Sequence, residues 1–130
     1  MFESYLIAVV VGIAAETAAR AGRLWLYRKP INPVINVIVV FGLVMGGLSL
    51  AVPALGHLPV FLLAWAIGYG YEQLNFLVLH WWDFPGDRFL MFEGRQACAI
   101  SVGVLWGLTP LIVHQLHTLL SCAPCGKEPG

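Results

Sequence analysis

Charged residues are scarce in this sequence. Lysine and arginine together number 7, and aspartate and glutamate also 7, so only 11% of the 130 residues are charged and the net charge is zero. Soluble domains average about 25% charged residues. So few polar groups cannot form the water-facing shell of a soluble domain, and no basic face indicates a nucleic-acid partner.

Several catalytic signatures are also missing. The sequence has no Gly-x-x-x-x-Gly-Lys-Ser/Thr phosphate loop, no Gly-x-Ser-x-Gly elbow and no His-Glu-x-x-His zinc motif. Its few serines have no evident base beside them in the sequence. We therefore predict that the chain is not an enzyme and carries no cofactor.

Long apolar runs dominate instead, and 59% of the residues are hydrophobic. Four segments reach the length of about 20 residues that a bilayer core requires, and only helices satisfy their backbone groups in lipid. We predict an all-α membrane protein with one domain over residues 1–130, a compact bundle of four transmembrane helices built as two hairpins. The predicted helices are residues 4–26, 33–52, 58–80 and 96–120, with a short tail at 121–130. No basic region precedes the first helix, so we expect it to be retained rather than cleaved.

Basic residues cluster in two of the three connections between these helices. They are Arg20, Arg23, Arg28, Lys29, Arg88 and Arg95. Both connections fall on one side of a four-helix chain, and the positive-inside rule places that side in the cytoplasm. We predict a multi-pass protein of the bacterial cytoplasmic (inner) membrane with both termini outside.

Two glycine patterns suggest a parallel internal repeat. Gly12-x-x-x-Glu16 is similar to Gly68-x-x-x-Glu72, and Gly42-x-x-x-Gly46 is similar to Gly103-x-x-x-Gly107. Such a repeat would have its axis along the membrane normal. Chance matching is the alternative, because glycine is common in membrane helices. The glycine pairs permit close helix contacts, within the chain or between copies.

Two acidic residues lie inside the apolar segments. An ionisable group at this depth costs about 2.5–3.5 kcal/mol and usually faces protein or water. Glu72 has Asn75 one turn away, and Glu16 has Arg20 one turn away. If the helices pack together, Glu16 and Glu72 could share a pocket for a cation, a proton or a polar headgroup. Alternatively, Glu16 pairs with Arg20, and Glu72 with Asn75 or an arginine, for assembly alone.

The connection after the third helix is rich in aromatic residues and contains a Pro-Gly turn. One interpretation is an aromatic belt at the headgroup layer. The other is a structured lid whose Asp83, Arg88 and Arg95 reach the carboxylate pocket. The complete candidate pocket is Glu16, Glu72, Asn75, Trp82, Asp83, Arg88 and Arg95.

The cysteines are predicted to have structural roles. Cys98 is expected to be a small core residue. Cys122 and Cys125 form a C-x-x-C, which would be a disulfide in an oxidising compartment or a thiol pair in a reducing one. His114 and His117 precede it, but the spacing matches no standard zinc pattern, and we predict no metal site.

The C-terminal half contains a series of motifs in a characteristic order. They are Trp81-Trp82-Asp83-Phe84, Phe89, Gly94-Arg95, Cys98, Ser101 and Trp106-Gly107-Leu108. In these motifs the chain resembles the ABC-transporter type IV family of bacterial integral membrane proteins, and Glu72 and Glu16 also fit. Phe84 stands where the family has tyrosine, and the C-x-x-C tail is outside its pattern. The resemblance implies a permease role, with a separate ATPase partner if the chain is an ABC component.

Three functions remain open at this point. The first, which we predict, is a small transporter or permease-like protein that acts as an oligomer, because four helices are few for a complete path. The second is a non-catalytic accessory subunit of a larger membrane complex, suggested by the small size. The third is a membrane-embedded enzyme acting on a lipid or on thiols. The expected partners are the lipid bilayer and either further copies of the chain or other membrane subunits.

Overall fold

The first helix is shorter than its apolar run. The computed structural model describes residues 1–122, and helix α1 spans Phe2–Ala21. The chain turns at Gly22 and at Arg23, which has a φ of 52°. The predicted end at residue 26 is therefore wrong, because hydropathy continues past a turn that only the backbone conformation reveals.

The second helix, α2, covers Ile31–Ser49 and begins directly after Pro30. Proline suits the start of a helix because its missing N–H needs no partner there. The middle of α2, Asn36–Met45, has the wider turns of a π-helix. Short π-helical segments are often found at functional sites, and Asn36 belongs to the site described below.

A short helix, α3 (Val52–Leu55), leads to Gly56, whose φ of 86° favours glycine. Helix α4 then spans His57–Leu74 and continues as a π-helical turn over Asn75–Leu79. It ends at His80 in a left-handed conformation.

The last helix, α5, spans Arg95–Cys122 and contains Pro110. At 1.5 Å per residue it is about 42 Å long, longer than a hydrocarbon core of about 30 Å. By length and composition, three of the described helices could cross a membrane, namely Phe2–Ala21, Ile31–Ser49 and Arg95–Cys122. Many large apolar side chains on the outer helix faces are exposed, which suits contact with lipid.

Four very short strands lie outside the helices, and the sequence analysis predicted none of them. Strand β1 (Leu26–Tyr27) pairs antiparallel with β2 (Trp82–Asp83), and β3 (Arg88–Phe89) pairs with β4 (Phe92–Glu93). Two-residue strands are too short to produce a period of two in the sequence. The β1–β2 pair joins the two basic connections at one end of the bundle.

The glycines of both Gly-x-x-x-Gly patterns bring helices together within the chain. Gly46 of α2 faces Ala8 of α1, and a Cβ built on Gly46 would lie 3.2 Å from the Ala8 Cβ. Gly107 of α5 faces Phe61 of α4 in the same way, at 2.7 Å from its ring. These glycines were expected to permit close helix contacts within the chain or between copies, and the contacts described here lie within the chain.

The main cluster of buried side chains joins the helices to the connection after α4. It contains Phe41, Met45, Trp82, Phe84, Phe89, Cys98 and Trp106, among others. Cys98 is fully buried, as expected for a small core residue. The aromatic connection after α4 thus packs onto the helices instead of extending away from them.

Candidate functional site

Glu16 is a buried carboxylate held by three uncharged donors. Its Oε1 accepts hydrogen bonds from the Tyr27 hydroxyl at 2.6 Å and from the Asn36 amide, and its Oε2 accepts one from the Trp25 indole at 3.1 Å. Burial, reinforced by the Glu16 charge, raises the pKa of Tyr27 well above its usual range. Tyr27 therefore remains a protonated donor at neutral pH.

Glu72 is buried more deeply, with only 2% of its surface exposed. Its Oε2 accepts a hydrogen bond from the Trp82 indole at 3.0 Å, and its Oε1 accepts one from the Trp106 indole at 3.4 Å. The two indoles come from different elements, one from strand β2 and the other from helix α5. Each carboxylate oxygen retains a lone pair for a further donor.

Neither carboxylate has a cationic partner among residues 1–122. The ion pairs in this part of the chain are Arg28–Asp83, Arg88–Glu93, Arg95–Asp87 and His117–Glu3. Arg20 is not among these pairs, so the alternative pairing with Glu16 does not form. Two acidic groups thus lie inside the protein, and the donors that hold them within residues 1–122 are all neutral.

A cavity of about 170 Å³ lies beside Glu72. Its polar lining includes Tyr27 and Asn36, which also hold Glu16. The aromatic lining consists of Trp25, Tyr27, Phe41, Trp82 and Trp106. Glu16 itself does not line this cavity, so the two acids do not share one pocket. Tyr27 and Asn36 lie between them, because both line the cavity and both donate to Glu16.

Asn36 has an unused acceptor in this arrangement. Its Nδ2 donates to Glu16 and to the Tyr27 oxygen, the latter at 2.9 Å. Its Oδ1 is buried without a hydrogen-bond partner among residues 1–122. Because a carboxylate can only accept, the amide must present Nδ2 to Glu16, and Oδ1 is left for another donor.

Asn75 holds the bend that follows α4, at residues 80–82, and does not pair with Glu72. Its Oδ1 accepts from the backbone N–H of Trp81 at 2.8 Å and of Trp82 at 3.2 Å, and its Nδ2 donates to the Trp82 carbonyl at 2.9 Å. These bonds position the Trp82 indole against Glu72.

Three predicted site residues lie elsewhere. Asp83 pairs with Arg28 at 2.9 Å, and the hydrogen bond from Arg28 holds the pKa of Asp83 below its usual range. Arg88 pairs with Glu93, and Arg95 pairs with Asp87 at 3.7 Å. The side chains of Asp83, Arg88 and Arg95 are mostly exposed, so the expectation that they reach the carboxylate pocket is wrong.

The far end of the bundle holds the remaining candidates. Cys122 ends α5, whereas Cys125 lies outside the described residues. His117 contacts Glu3 at 3.1 Å, and His114 lies near His57 with ring centroids 6.2 Å apart. Within residues 1–122, no group of three or more His, Cys, Asp or Glu side chains could hold a metal ion.

Four residues of the site were not predicted from the sequence. They are Trp25, Tyr27 and Asn36, which donate to Glu16, and Trp106, which donates to Glu72. Asn36 was detectable, because a polar amide within an apolar span marks a functional position for the same reason as Glu72 does. Trp25 and Tyr27 gave no such signal, since aromatic residues are ordinary near a membrane surface.

A comparison of the chain with protein-family models, with curated proteins and with solved structures gave no match. The resemblance to the ABC-transporter type IV family therefore stays a prediction that rests on the sequence motifs. Any functional conclusion depends on the geometry of the carboxylates and the cavity.

Proposed function

We propose that this chain is a small polytopic carrier whose intramembrane carboxylates bind a cation and move it across the bilayer. The observation that carries the proposal is the pair Glu16 and Glu72, both buried and both supported only by uncharged donors among residues 1–122. A buried carboxylate without a counter-charge is costly. It becomes favourable when a proton or a cationic ligand neutralises it.

The proposal includes a fourth span formed by α4 and its π-helical continuation, residues 57–79. This segment is 23 residues long, which is enough for a bilayer core of about 30 Å. Glu72 and Gln73 lower its hydropathy, which is the expected effect of a functional site on a spanning helix. Its extensive packing along α5 supports a location within the same layer.

An internal repeat would explain why the two carboxylates have similar surroundings. The buried positions Ser4, Ala8, Gly12 and Glu16 of α1 lie 56 residues before Val60, Ala64, Gly68 and Glu72 of α4. Strands β1 and β2 are also 56 residues apart and pair antiparallel, as a two-fold axis along the membrane normal would require. These matches favour a parallel repeat over chance.

The orientation follows from the basic residues around the strand pair. We place the end with β1 and β2 in the cytoplasm of a bacterium and both termini outside the inner membrane. The carboxylates would then be nearer the cytoplasmic face. The cavity beside Glu72 in a single copy is small, at about 170 Å³, and we propose that a homo-oligomer provides the complete path.

Charge movement across proteoliposomes tests the proposal. After concentration jumps of sodium, potassium, proton or isopropylammonium, solid-supported membrane recordings should show currents with the wild type and none with Glu72→Gln. The matched control is Glu93→Gln, which alters an exposed acid far from the cavity. Equal currents for wild type and Glu72→Gln would reject the carrier. Absence of any current, with co-purification of a stoichiometric membrane partner, would instead favour the accessory subunit.

A further inference from the structure

We propose that the cavity beside Glu72 binds a small organic ammonium ion that carries at least one N–H group and a short apolar chain. This inference names the substrate class of the proposed carrier and rests on the same site. It makes a separate prediction about binding, which can be tested without transport.

The walls of the cavity favour an organic cation. Five aromatic side chains line it, together with the Glu72 carboxylate. Aromatic faces attract cations, ammonium groups included, and the attraction is stronger in desolvated sites. The hard cations Ca²⁺ and Mg²⁺ take a shell of six or more oxygen ligands or retained waters. The described lining offers few oxygens, on Glu72, Asn36, Tyr27 and Thr109, so an ammonium ion fits the lining better than these metal ions do.

The free lone pairs of Glu72 determine which kind of ammonium is preferred. Glu72 lines the cavity, and each of its oxygens accepts one indole hydrogen bond and retains a lone pair. An N–H of the ligand would donate to this carboxylate and bring the positive charge against it. A quaternary ammonium has no N–H and would leave these acceptors unpaired, which lowers affinity. The cavity therefore distinguishes protonated amines from fully methylated ones.

The size and the remaining wall define the apolar part of the ligand. A cavity of about 150 Å³ is known to accommodate benzene, and this one is about 170 Å³. Between α1 and α5 its wall is aliphatic and includes Leu105 and Ile112, which are 45% and 46% exposed on the outer surface. A short alkyl chain would lie against this wall. A free alkylamine and the ethanolamine headgroup of a lipid share this chemistry.

Calorimetric titration of the purified wild-type protein in detergent tests charge and N–H separately. Isopropylammonium should bind at least tenfold more tightly than the neutral isostere isopropanol. Trimethylammonium should bind about tenfold more tightly than tetramethylammonium, which differs by the missing N–H. Tryptophan fluorescence should change on binding, because three of the five tryptophans line the cavity. Equal affinities within either pair would overturn the inference, and no variant is needed for this result.

Variants then locate the binding to this cavity. Glu72→Gln should weaken isopropylammonium binding at least tenfold. Phe41→Leu removes an aromatic wall and should weaken it about fivefold. Phe61→Leu is the matched control, because Phe61 also packs against a glycine but does not line the cavity. Unchanged affinity in a folded Glu72→Gln protein, or equal losses for Phe41→Leu and Phe61→Leu, would reject the site.

Reconstitution distinguishes the two sources of the ammonium group. Phosphatidylethanolamine in phosphatidylglycerol vesicles should compete with isopropylammonium if the natural ligand is a lipid headgroup, and should leave its affinity unchanged if it is a free amine. Selective binding without charge movement would contradict the carrier while supporting this ligand class. Charge movement with sodium or protons alone, without ammonium binding, would contradict the ligand class while supporting the carrier.

Discussion

Tyr27 and Trp82 lie opposite each other in the β1–β2 pair, with ring centroids 5.8 Å apart, and each donates a hydrogen bond to a different buried carboxylate. Tyr27 holds Glu16 and Trp82 holds Glu72. The short strand pair therefore places the donors of the two acids side by side.

Close packing at Gly68 should be essential for the position of Trp106. A Cβ at Gly68 would lie 2.3 Å from the Trp106 side chain, so Gly68→Ala must displace the indole that holds Glu72. We expect a loss of about 1–3 kcal/mol of unfolding free energy. Gly70→Ala on the same helix has no atom within 4 Å of its new Cβ and should be neutral or slightly stabilising. Thermal unfolding in detergent, followed by tryptophan fluorescence, compares them, and equal stability of the two variants would contradict the packing.

Asn75 should determine the stability of the bend. Asn75→Ala removes three hydrogen bonds to the backbone of Trp81 and Trp82, which we expect to cost about 2–4 kcal/mol. Asn75→Asp retains the acceptor, but its second oxygen would face the Trp82 carbonyl and its charge would be buried one turn from Glu72, so its loss should be at least as large. Hydrogen exchange at the Trp81 and Trp82 amides should be faster in both variants than in the wild type. Unchanged protection in Asn75→Ala would show that the bend is held by other contacts.

The Arg28–Asp83 pair should contribute to stability only above acidic pH. The hydrogen bond from Arg28 lowers the pKa of Asp83 in the folded protein below the unfolded value of about 3.9. The contribution is therefore present at neutral pH and is lost as the pH falls through the folded pKa. Wild type should be more stable than Asp83→Asn at pH 7, and the difference should decrease below about pH 4. A difference that stays constant down to pH 2.5 would contradict this role.

The proposed orientation can be tested by thiol labelling of intact bacterial cells. Met91 is 84% exposed between β3 and β4, and Cys122 lies at the opposite end of α5. In a background without the other cysteines, a membrane-impermeant maleimide should label Cys122 and should not label Met91→Cys until the cells are opened. Labelling in the reverse order would place the termini in the cytoplasm.

The long helices were predictable from their apolar length, whereas the short helix α3 and the helix ends were not. A hydrocarbon core demands about 20 apolar residues whatever the packing, so length alone locates such segments. The end of α1 at Ala21 and the strands at residues 26–27 and 82–83 depend on backbone turns and on pairing between segments 56 residues apart. A two-residue strand is too short to show the alternation of apolar and polar residues by which strands are recognised in a sequence.

For the site, the sequence determined that Glu16 and Glu72 must face protein or water and not lipid. A charge in an apolar span is costly wherever the helix lies. The tertiary structure alone decided what satisfies them. Tyr27, Asn36, Trp82 and Trp106 come from separate elements, and their role arises from packing distances of a few ångströms. In the same fold Asp83, Arg88 and Arg95 lie at the surface, where each forms an ion pair with a nearby opposite charge.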